Sequence, residues 1–407
     1  MSTDFVSTDG YAWRIEDLDT DEMVLNMGPQ HPSTHGVLRL ELRTDGEVVR
    51  GVRPHIGYLH RCMEKHAENV DYPGVIPYTD RLDYLASMGN SLGYALAVEK
   101  LLGIEVPPRC QYIRVILGEL ARICDHCVSN AAVAMELGAF TVFLYLVKAR
   151  EWLFDVLEET TGARVTHSFC RIGGLRLDLP AGFADKVRAA LPKTLEAVEE
   201  SEKLLVRNRI FMDRTMGVGA IAPERAVAWG WTGPCLRSTG VAYDVRKAHP
   251  YLVYEDLDFD VPVGSHGDNY DRFVCRMEEI RQSVRIVTQA LCKLPDGPIA
   301  VPDDLGVILP DKLQTYTTIE RTMQHFKIIM EGIQVPPGEV YSYTEAANGE
   351  LGFYIVSAGG GKPHKCRVRP PCFANLQALP ELIRGRLLAD IIPTFGSINM
   401  IGGECDR

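Results

Sequence analysis

Two histidines stand four positions apart in Gly28-Pro29-Gln30-His31-Pro32-Ser33-Thr34-His35-Gly36, and the prolines and glycines around them forbid a helix. A helical zinc motif is therefore excluded, because it needs both histidines on one helix face and a glutamate after the first. An imidazole gains or loses a proton near neutral pH after a small change of surroundings. Such a loop suits hydrogen bonding and proton delivery to a bound redox substrate. Taken alone, a His-x-x-x-His pair more often makes structural hydrogen bonds than it binds metal or catalyses. The run Val37-Leu38-Arg39-Leu40-Glu41-Leu42 alternates apolar and polar residues and Asp45-Gly46 follows it, which predicts a hairpin with His35 at its mouth.

The elements that must carry this loop belong to a chain of 407 residues, enough for two or three substructures, with 46% hydrophobic and 24% charged residues. Lys+Arg of 43 against Asp+Glu of 54 gives a net charge of -11, which argues against nucleic acid as a partner and favours a basic docking surface. Residues 1–10 are polar and acidic, without the basic start or apolar core of a signal peptide, so synthesis and retention in the cytoplasm are expected. The 11 cysteines are scattered, and reduced thiols are expected rather than a disulfide framework. The longest apolar run, 131–147, is broken by Glu136, Gly138 and Thr141; it predicts buried helix rather than a membrane span.

Residues 1 to about 60 read as strands and turns. Leu82, Leu85, Met88, Leu92 and Leu96 repeat at helical spacing, and Gly103 with Pro107-Pro108 ends that helix. This places Tyr84 on the first bundle helix, on nearly the same face as Arg81. Further helices are expected over 109–138, 141–160 and 181–208, the last with an exposed acidic face, so that four long helices in succession form a bundle. Between Ile210 and Gly267 glycines and prolines break the periodicity, and an extended surface that wraps a neighbouring chain is expected. Phe273, Met277, Ile280, Val284, Val287 and Leu291 then mark a fifth long helix. Glu339-Tyr341-Tyr343 and Leu351-Phe353-Ile355 alternate on either side of Asn348-Gly349, a hairpin signal. The basic segment 362–369 reads as a solvated loop more readily than as a contact for an acidic partner.

Several ordered segments carry a resemblance: Gly28-Pro29-Gln30-His31-Pro32-Ser33-Thr34-His35-Gly36, then Gly57-Tyr58-Leu59-His60-Arg61 with Glu64-Lys65, then Asp80-Arg81-Leu82-Asp83-Tyr84. Later come Asp213-Arg214-Thr215, Tyr270-Asp271-Arg272, Val368-Arg369-Pro370-Pro371-Cys372 and Gly403-Glu404-Cys405-Asp406-Arg407. Over nearly its whole length the chain resembles the D-subunit family of NADH-quinone oxidoreductase, the quinone-site subunits of respiratory complex I.

The resemblance implies an α+β fold similar to the nickel-iron hydrogenase large subunit: a central long-helix bundle with an N-terminal β-hairpin region and a C-terminal β element. The expected divisions are 1–70, a β/loop region with the His motif; 71–210, the bundle; 211–268, the extended loop region; 269–335, a long helix and connection; and 336–407, a C-terminal β/loop region. It implies a peripheral-arm subunit of a proton-translocating NADH:quinone oxidoreductase, on the cytoplasmic side of the cell membrane. His35 and Tyr84 would hydrogen-bond the quinone headgroup, supported by His31 and by Glu136, which stands where the family's aspartate pairs with the motif histidine. Arg61 and Arg81 match arginines near the terminal iron-sulfur cluster of an adjacent subunit. Quinone is then the substrate, this chain binds no metal or cofactor itself, and its partners are the cluster-bearing, peripheral-arm and membrane-arm subunits of complex I.

The alternative is a hydrogenase-type large subunit with metal held by cysteine pairs. Cys124-Asp125-His126-Cys127 looks like its first motif, yet lies a helix too late. Cys366, Cys372 and Cys405 supply no second pair, so Cys124 and Cys127 are expected to be helix-packing thiols. Cys62 stands where a glycine is usual in the family and Cys405 where a valine is usual. His167 is a candidate for the family's histidine near the cluster.

Overall fold

The computed structural model describes residues 22–407 together with the short pairing of Phe5–Val6 (β1) and Ala12–Trp13 (β2). Most of the expected strand region before residue 22 lies outside the described residues. From there β3 (Glu22–Met27), β4 (Arg39–Asp45) and β5 (Val48–His55) form an antiparallel sheet in the order β3-β4-β5. Leu40 and Leu42 of β4, with Leu38 just before it, are fully buried, so the alternation that marked the strand also marks its core face.

Helices α1 (Met63–Ala67), α2 (Tyr72–Thr79), α3 (Ser87–Leu102), α4 (Pro108–Glu136) and α5 (Phe140–Thr161) follow. After a small pair of strands, β6 (Cys170–Arg171) and β7 (Gly174–Leu175), comes α6 (Phe183–Leu205). The expected helix from residue 82 begins only at Ser87. The Asp83 carboxylate accepts from the backbone N–H groups of Leu85 at 3.0 Å and Ala86 at 3.3 Å, a local turn that competes with helix. Tyr84 is therefore in the turn before α3 and not on a helix. The apolar run 131–147 is likewise divided, at Gly138 (φ +85), between the end of α4 and the start of α5, where Phe140, Leu144 and Tyr145 are exposed. Among the described residues no helix is long and apolar enough to cross a membrane.

Between Ile210 and Gly267 the chain is not an extended surface. It contains α7 (Arg209–Thr215), α8 (Pro223–Ala228), α9 (Gly233–Arg237) and α10 (Val245–Ala248), and it buries Trp231, Arg237, Asp244 and Arg246. The long helix α11 (Asn269–Lys293) starts where the Asp268 carboxylate accepts from Asp271 N–H at 2.9 Å. It packs beside α4, and α4, α5, α6 and α11 make the bundle. Two shorter helices, α12 (Lys312–Thr317) and α13 (Ile319–Glu331), have no buried residue and expose Leu313, Tyr316, Ile319, Met323, Phe326, Ile329 and Met330.

The C-terminal sheet has the order β10-β9-β8, from β8 (Gly338–Ala346), β9 (Gly349–Ser357) and β10 (Lys365–Arg369). Its hairpin turn is Ala347-Asn348, one residue earlier than the expected Asn348-Gly349. The basic segment is a strand and not a solvated loop: Lys365 pairs with Glu68 at 2.7 Å and Arg367 with Glu64. Four short helices end the chain: α14 (Pro371–Gln377), α15 (Leu379–Ile383), α16 (Ile391–Ile398) and α17 (Gly402–Asp406). They and the N-terminal sheet share a second hydrophobic core, in which Leu38, Leu40 and Leu42 meet Leu379, Ile391, Phe395 and Ile398.

The bundle interior is heavily charged. Glu119 of α4 accepts from Arg246 at 3.0 Å, Arg122 at 3.2 Å, and the hydroxyls of Ser283 and Tyr254, each at 2.7 Å. Arg237 donates to Glu279 at 2.8 Å and Glu345 at 2.7 Å. Each carboxylate has a guanidinium beside it, which offsets the cost of burying either charge. Arg237→Met should strand Glu345 and Glu279 as uncompensated buried charges and destabilise the chain by about 3–5 kcal/mol. Native gel electrophoresis checks this, the expected outcome being loss of the chain from the assembled complex.

Candidate functional site

The three N-terminal motifs meet on one piece of chain, residues 399–407, which is almost wholly buried. What holds that piece is a pair of α11 arginines, both fully buried: Arg276 donates to the carbonyls of Ser397 at 2.6 Å and Ile398 at 3.3 Å, and Arg272 to Ser397 Oγ at 2.9 Å. The last carbonyls of α16 lack helical partners, and a guanidinium there satisfies them and complements the helix dipole.

Along 399–407 each motif takes a handhold. His35 Nδ1 lies 3.0 Å from the Met400 carbonyl. Arg61 donates to the Gly403 carbonyl at 3.3 Å and to the Arg81 carbonyl at 2.6 Å. Gly403 is seated so closely that a Cβ would come 2.5 Å from the Arg81 carbonyl oxygen, so only glycine lets the 80–86 turn approach. The Asp406 carboxylate accepts from Gly57 N–H at 2.9 Å and Leu59 N–H at 2.8 Å, and its carbonyl lies 2.7 Å from His60 Nδ1.

His31 and His35 have different tasks. His31 Nδ1 accepts from Ser33 N–H at 3.1 Å and caps the 3-10 turn Pro32–Thr34, so it shapes the loop. His35 ends that turn at φ +54, a left-handed conformation rare for a non-glycine residue, and its ring tilts on Phe395 with centroids 4.9 Å apart. A carbonyl only accepts, so the hydrogen bond to Met400 puts the ring proton on Nδ1 and leaves Nε2 as an acceptor. Burial pushes the imidazole below its ordinary pKa, the Met400 bond opposing, which favours the neutral ring.

Tyr84 is 38% exposed, a phenol in a wall rather than in a core. Its hydroxyl is pushed above the ordinary value first by burial, then by the neighbouring Asp83, while Arg61 draws it back. Arg81 is exposed and donates to the Pro77 carbonyl at 2.6 Å. Arg61, also exposed, is lowered by burial of its head and by the neighbouring Arg81. Cys62 beside it has φ +55, the conformation a glycine adopts without strain.

Glu136 lies at the end of α4 against Gly396, and its Oε2 is buried without a hydrogen-bond partner. No hydrogen bond joins it to His35, whose Nδ1 is taken by Met400. Burial pushes its carboxyl up to about 8. His167 is buried, hydrogen-bonds Ser87 through Nδ1 at 2.8 Å, leaves Nε2 unpartnered, and is pushed down to about 4 by burial. Cys124 and Cys127 are packed inside the bundle, where burial holds Cys127 up at about 12, far from the thiolate a metal requires. All eleven cysteines are free thiols, and among the described residues no group of three or more His, Cys, Asp or Glu is placed to hold a metal ion. Met400, Phe395, Asp406 and Asp83 are parts of the site that residue types and spacing do not single out. Asp83 and Asp406 are marked only by lying in the 80–84 and 403–407 segments that carry the resemblance, and Met400 and Phe395 are not marked at all.

Residues 136–407 match the family model of the respiratory-chain NADH dehydrogenase 49 Kd subunit. The chain is 59% identical over 392 residues to an NADH-quinone oxidoreductase D-subunit of Sorangium cellulosum (strain So ce56), covering 96% of this chain and 97% of that protein. It belongs to the NADH-quinone oxidoreductase D-subunit family. The D-subunit of Myxococcus xanthus (strain DK1622) is 53% identical over 403 residues, 98% of this chain and 97% of its own. That of Methylacidiphilum infernorum (isolate V4) is 51% identical over 398 residues, 97% and 95%. The chain is thus a complex I subunit, part of an oxidoreductase assembly, and other complex I subunits are its partners.

The unpaired Glu136 makes a prediction for this member of the D-subunit family. Its carboxyl pKa is raised from 4.5 to about 8 in the folded chain, so the folded state holds the proton more tightly. The stability it contributes is full below about 4.5 and is lost as pH rises through about 8. Glu136→Gln keeps the shape without the titration and should flatten this alkaline loss. Thermal unfolding at acid, neutral and alkaline pH checks it: the variant's gain in melting temperature over the parent is absent below about 4.5, grows through neutral pH and levels off above about 8.

Proposed function

We propose that this subunit forms the quinone headgroup site of a proton-translocating NADH:quinone oxidoreductase, beside the terminal iron-sulfur cluster of a neighbouring subunit, at the cytoplasmic face of the cell membrane. The observation that carries the reading is the convergence of the His35 loop, Arg61 and the Arg81–Tyr84 turn on the buried segment 399–407.

Quinone reduction adds two electrons and two protons across two carbonyl oxygens. The half-exposed Tyr84 hydroxyl is a donor from the outset, held protonated by burial and by nearby acids. His35 is the slower partner. Its neutral ring offers Nε2 as an acceptor, so it must first take up a proton, and negative charge growing on a reduced quinone favours that uptake. The Met400 carbonyl holds the ring through Nδ1 in either state and keeps Nε2 aimed away from the backbone. The fixed charges of Arg61 and Arg81 on the exposed side of the turn would stabilise added electrons on a centre docked there.

Tyr84→Phe removes one hydroxyl and keeps the ring, so assembly persists while one hydrogen bond to developing charge is lost. That costs about 2–4 kcal/mol, roughly thirty-fold to several-hundred-fold in rate. Steady-state quinone reduction by the assembled complex should fall by this factor, with transfer to an artificial acceptor upstream unchanged. Parental quinone turnover in Tyr84→Phe would show the site assignment to be wrong.

A further inference from the structure

Behind Tyr84 lies a group of acids that differs from the rest of the charged core. Asp83 precedes Tyr84 in the turn, Asp125 comes from α4 and Glu404 from α17; all three are fully buried. Asn348 Nδ2 donates to Asp83 Oδ2 at 3.2 Å. Asn399 Nδ2 donates to Asp125 Oδ1 at 3.1 Å and Oδ2 at 3.2 Å, and to Asn348 Oδ1 at 2.7 Å. Neither carboxyl oxygen of Glu404 has a hydrogen-bond partner.

The contrast with the bundle is in the cations. Glu119, Glu279 and Asp244 each touch an arginine, whereas among the described residues no lysine or arginine hydrogen-bonds Asp83, Asp125 or Glu404. Arg369 of β10 acts on Glu404 only from a distance, and Arg61 acts on Tyr84. His126 stands between two carboxylates, Nδ1 at 3.2 Å from Asp125 and Nε2 at 2.9 Å from Glu279; donating to both, it is a cation that Asp125 shares with Glu279 and that touches neither Asp83 nor Glu404. The Cys372 thiol of α14 faces both Glu404 and Tyr84 and, held far above its ordinary value, brings no charge. Three fully buried carboxyls with one shared imidazolium beside them cannot all be ionised, so at least one proton is resident. Burial and mutual repulsion push Glu404 up to about 7 and Asp83 well above the carboxylate range, with Asp125 raising both.

We propose that Asp83, Asp125 and Glu404 form a proton store that refills Tyr84 after it has protonated the quinone. The proposal rests on the quinone-site reading above. Two electrons reach the quinone, one at a time, from a reduced iron-sulfur centre outside this chain. At Tyr84 the phenolic O–H bond breaks as an O–H bond forms on a quinone oxygen. The tyrosinate then takes a proton from the cluster: one carboxylic O–H breaks, the phenol re-forms, and the cluster gains one carboxylate. A proton taken up from bulk solvent re-forms that carboxylic acid before the next turnover. The three acids are positioning residues that act through Tyr84 and do not touch quinone.

The test is the pH profile of quinone reduction by the assembled complex. Glu404→Gln keeps the side chain's shape and removes one titrating site and one source of repulsion, so the remaining acids release their proton at lower pH. The alkaline limb should move down by about one pH unit, with turnover reduced on the order of tenfold at about pH 8 and little changed at about pH 6. Quinone KM should stay as in the parent, and Glu404→Asp should restore the profile. A uniform loss at every pH, or a parental profile in Glu404→Gln, would overturn the store. An independent measurement is the infrared difference spectrum of quinone reduction in the parental complex, where a protonated-carboxyl band should be lost transiently; no such change would overturn it too. Tyr84→Phe separates the two readings. Impaired quinone turnover in Tyr84→Phe beside a parental Glu404→Gln profile removes the store alone, whereas normal turnover in Tyr84→Phe removes the quinone site itself.

Discussion

The contact on which the site depends is the grip of Arg272 and Arg276 on the end of α16. Helix ends leave carbonyls without partners, and burying such an end in an apolar core costs free energy for every group left unmet. Arg276 meets the carbonyls of Ser397 and Ile398, and Arg272 holds the Ser397 hydroxyl, which ties the last segment of the chain to α11 of the bundle. Burial lowers Arg272 to about 10, still charged at neutral pH. With 397–398 fixed, Met400, Gly403 and Asp406 fall into place as receptors for three stretches that are far apart in sequence. Function here is organised from the end of the chain backwards, by backbone groups more than by side chains.

The charged bundle serves the same purpose. A core filled by leucine would be more forgiving, since apolar side chains repack with little loss, whereas a carboxylate held by a particular guanidinium tolerates little displacement. Arg237 reaches Glu279 on α11 and Glu345 on β8, and His126 joins Glu279 to α4. These bonds fix the position of α11, and hence of its two arginines, relative to the strands that bring Asn348 to the site.

The long helices are legible in the sequence and the short ones are hidden. Phe273 to Leu291 repeat so regularly that α11 has the expected bounds, and the apolar alternation of 37–42 marks β4 and its buried face. Periodicity misplaces Tyr84 because Leu82 and Leu85 continue the helical spacing while the Asp83 side chain closes a turn, a competition that spacing does not register. The segment 210–267 reads as extended surface because glycines and prolines break its periodicity; what buries it is its arginines, whose partners Glu279, Glu345 and Glu119 lie tens of residues or more away. The last four helices are too short, and too rich in glycine and proline, for any period to show. Of the proposed site residues, His35 stands out by its type and loop and Tyr84 only through the resemblance; the backbone that aims His35 does not stand out, because a carbonyl carries no sequence signature.

The bare face of α12 and α13 bears on how much of this protein a cell can keep. Among the described residues nothing buries the seven large apolar side chains there. A copy that has not met its partner presents the same surface that marks an unfolded chain, and chaperones and proteases act on that surface whatever the state of the core beneath it. The longer that face stays bare, the more exposed a copy is to removal, however stable its core.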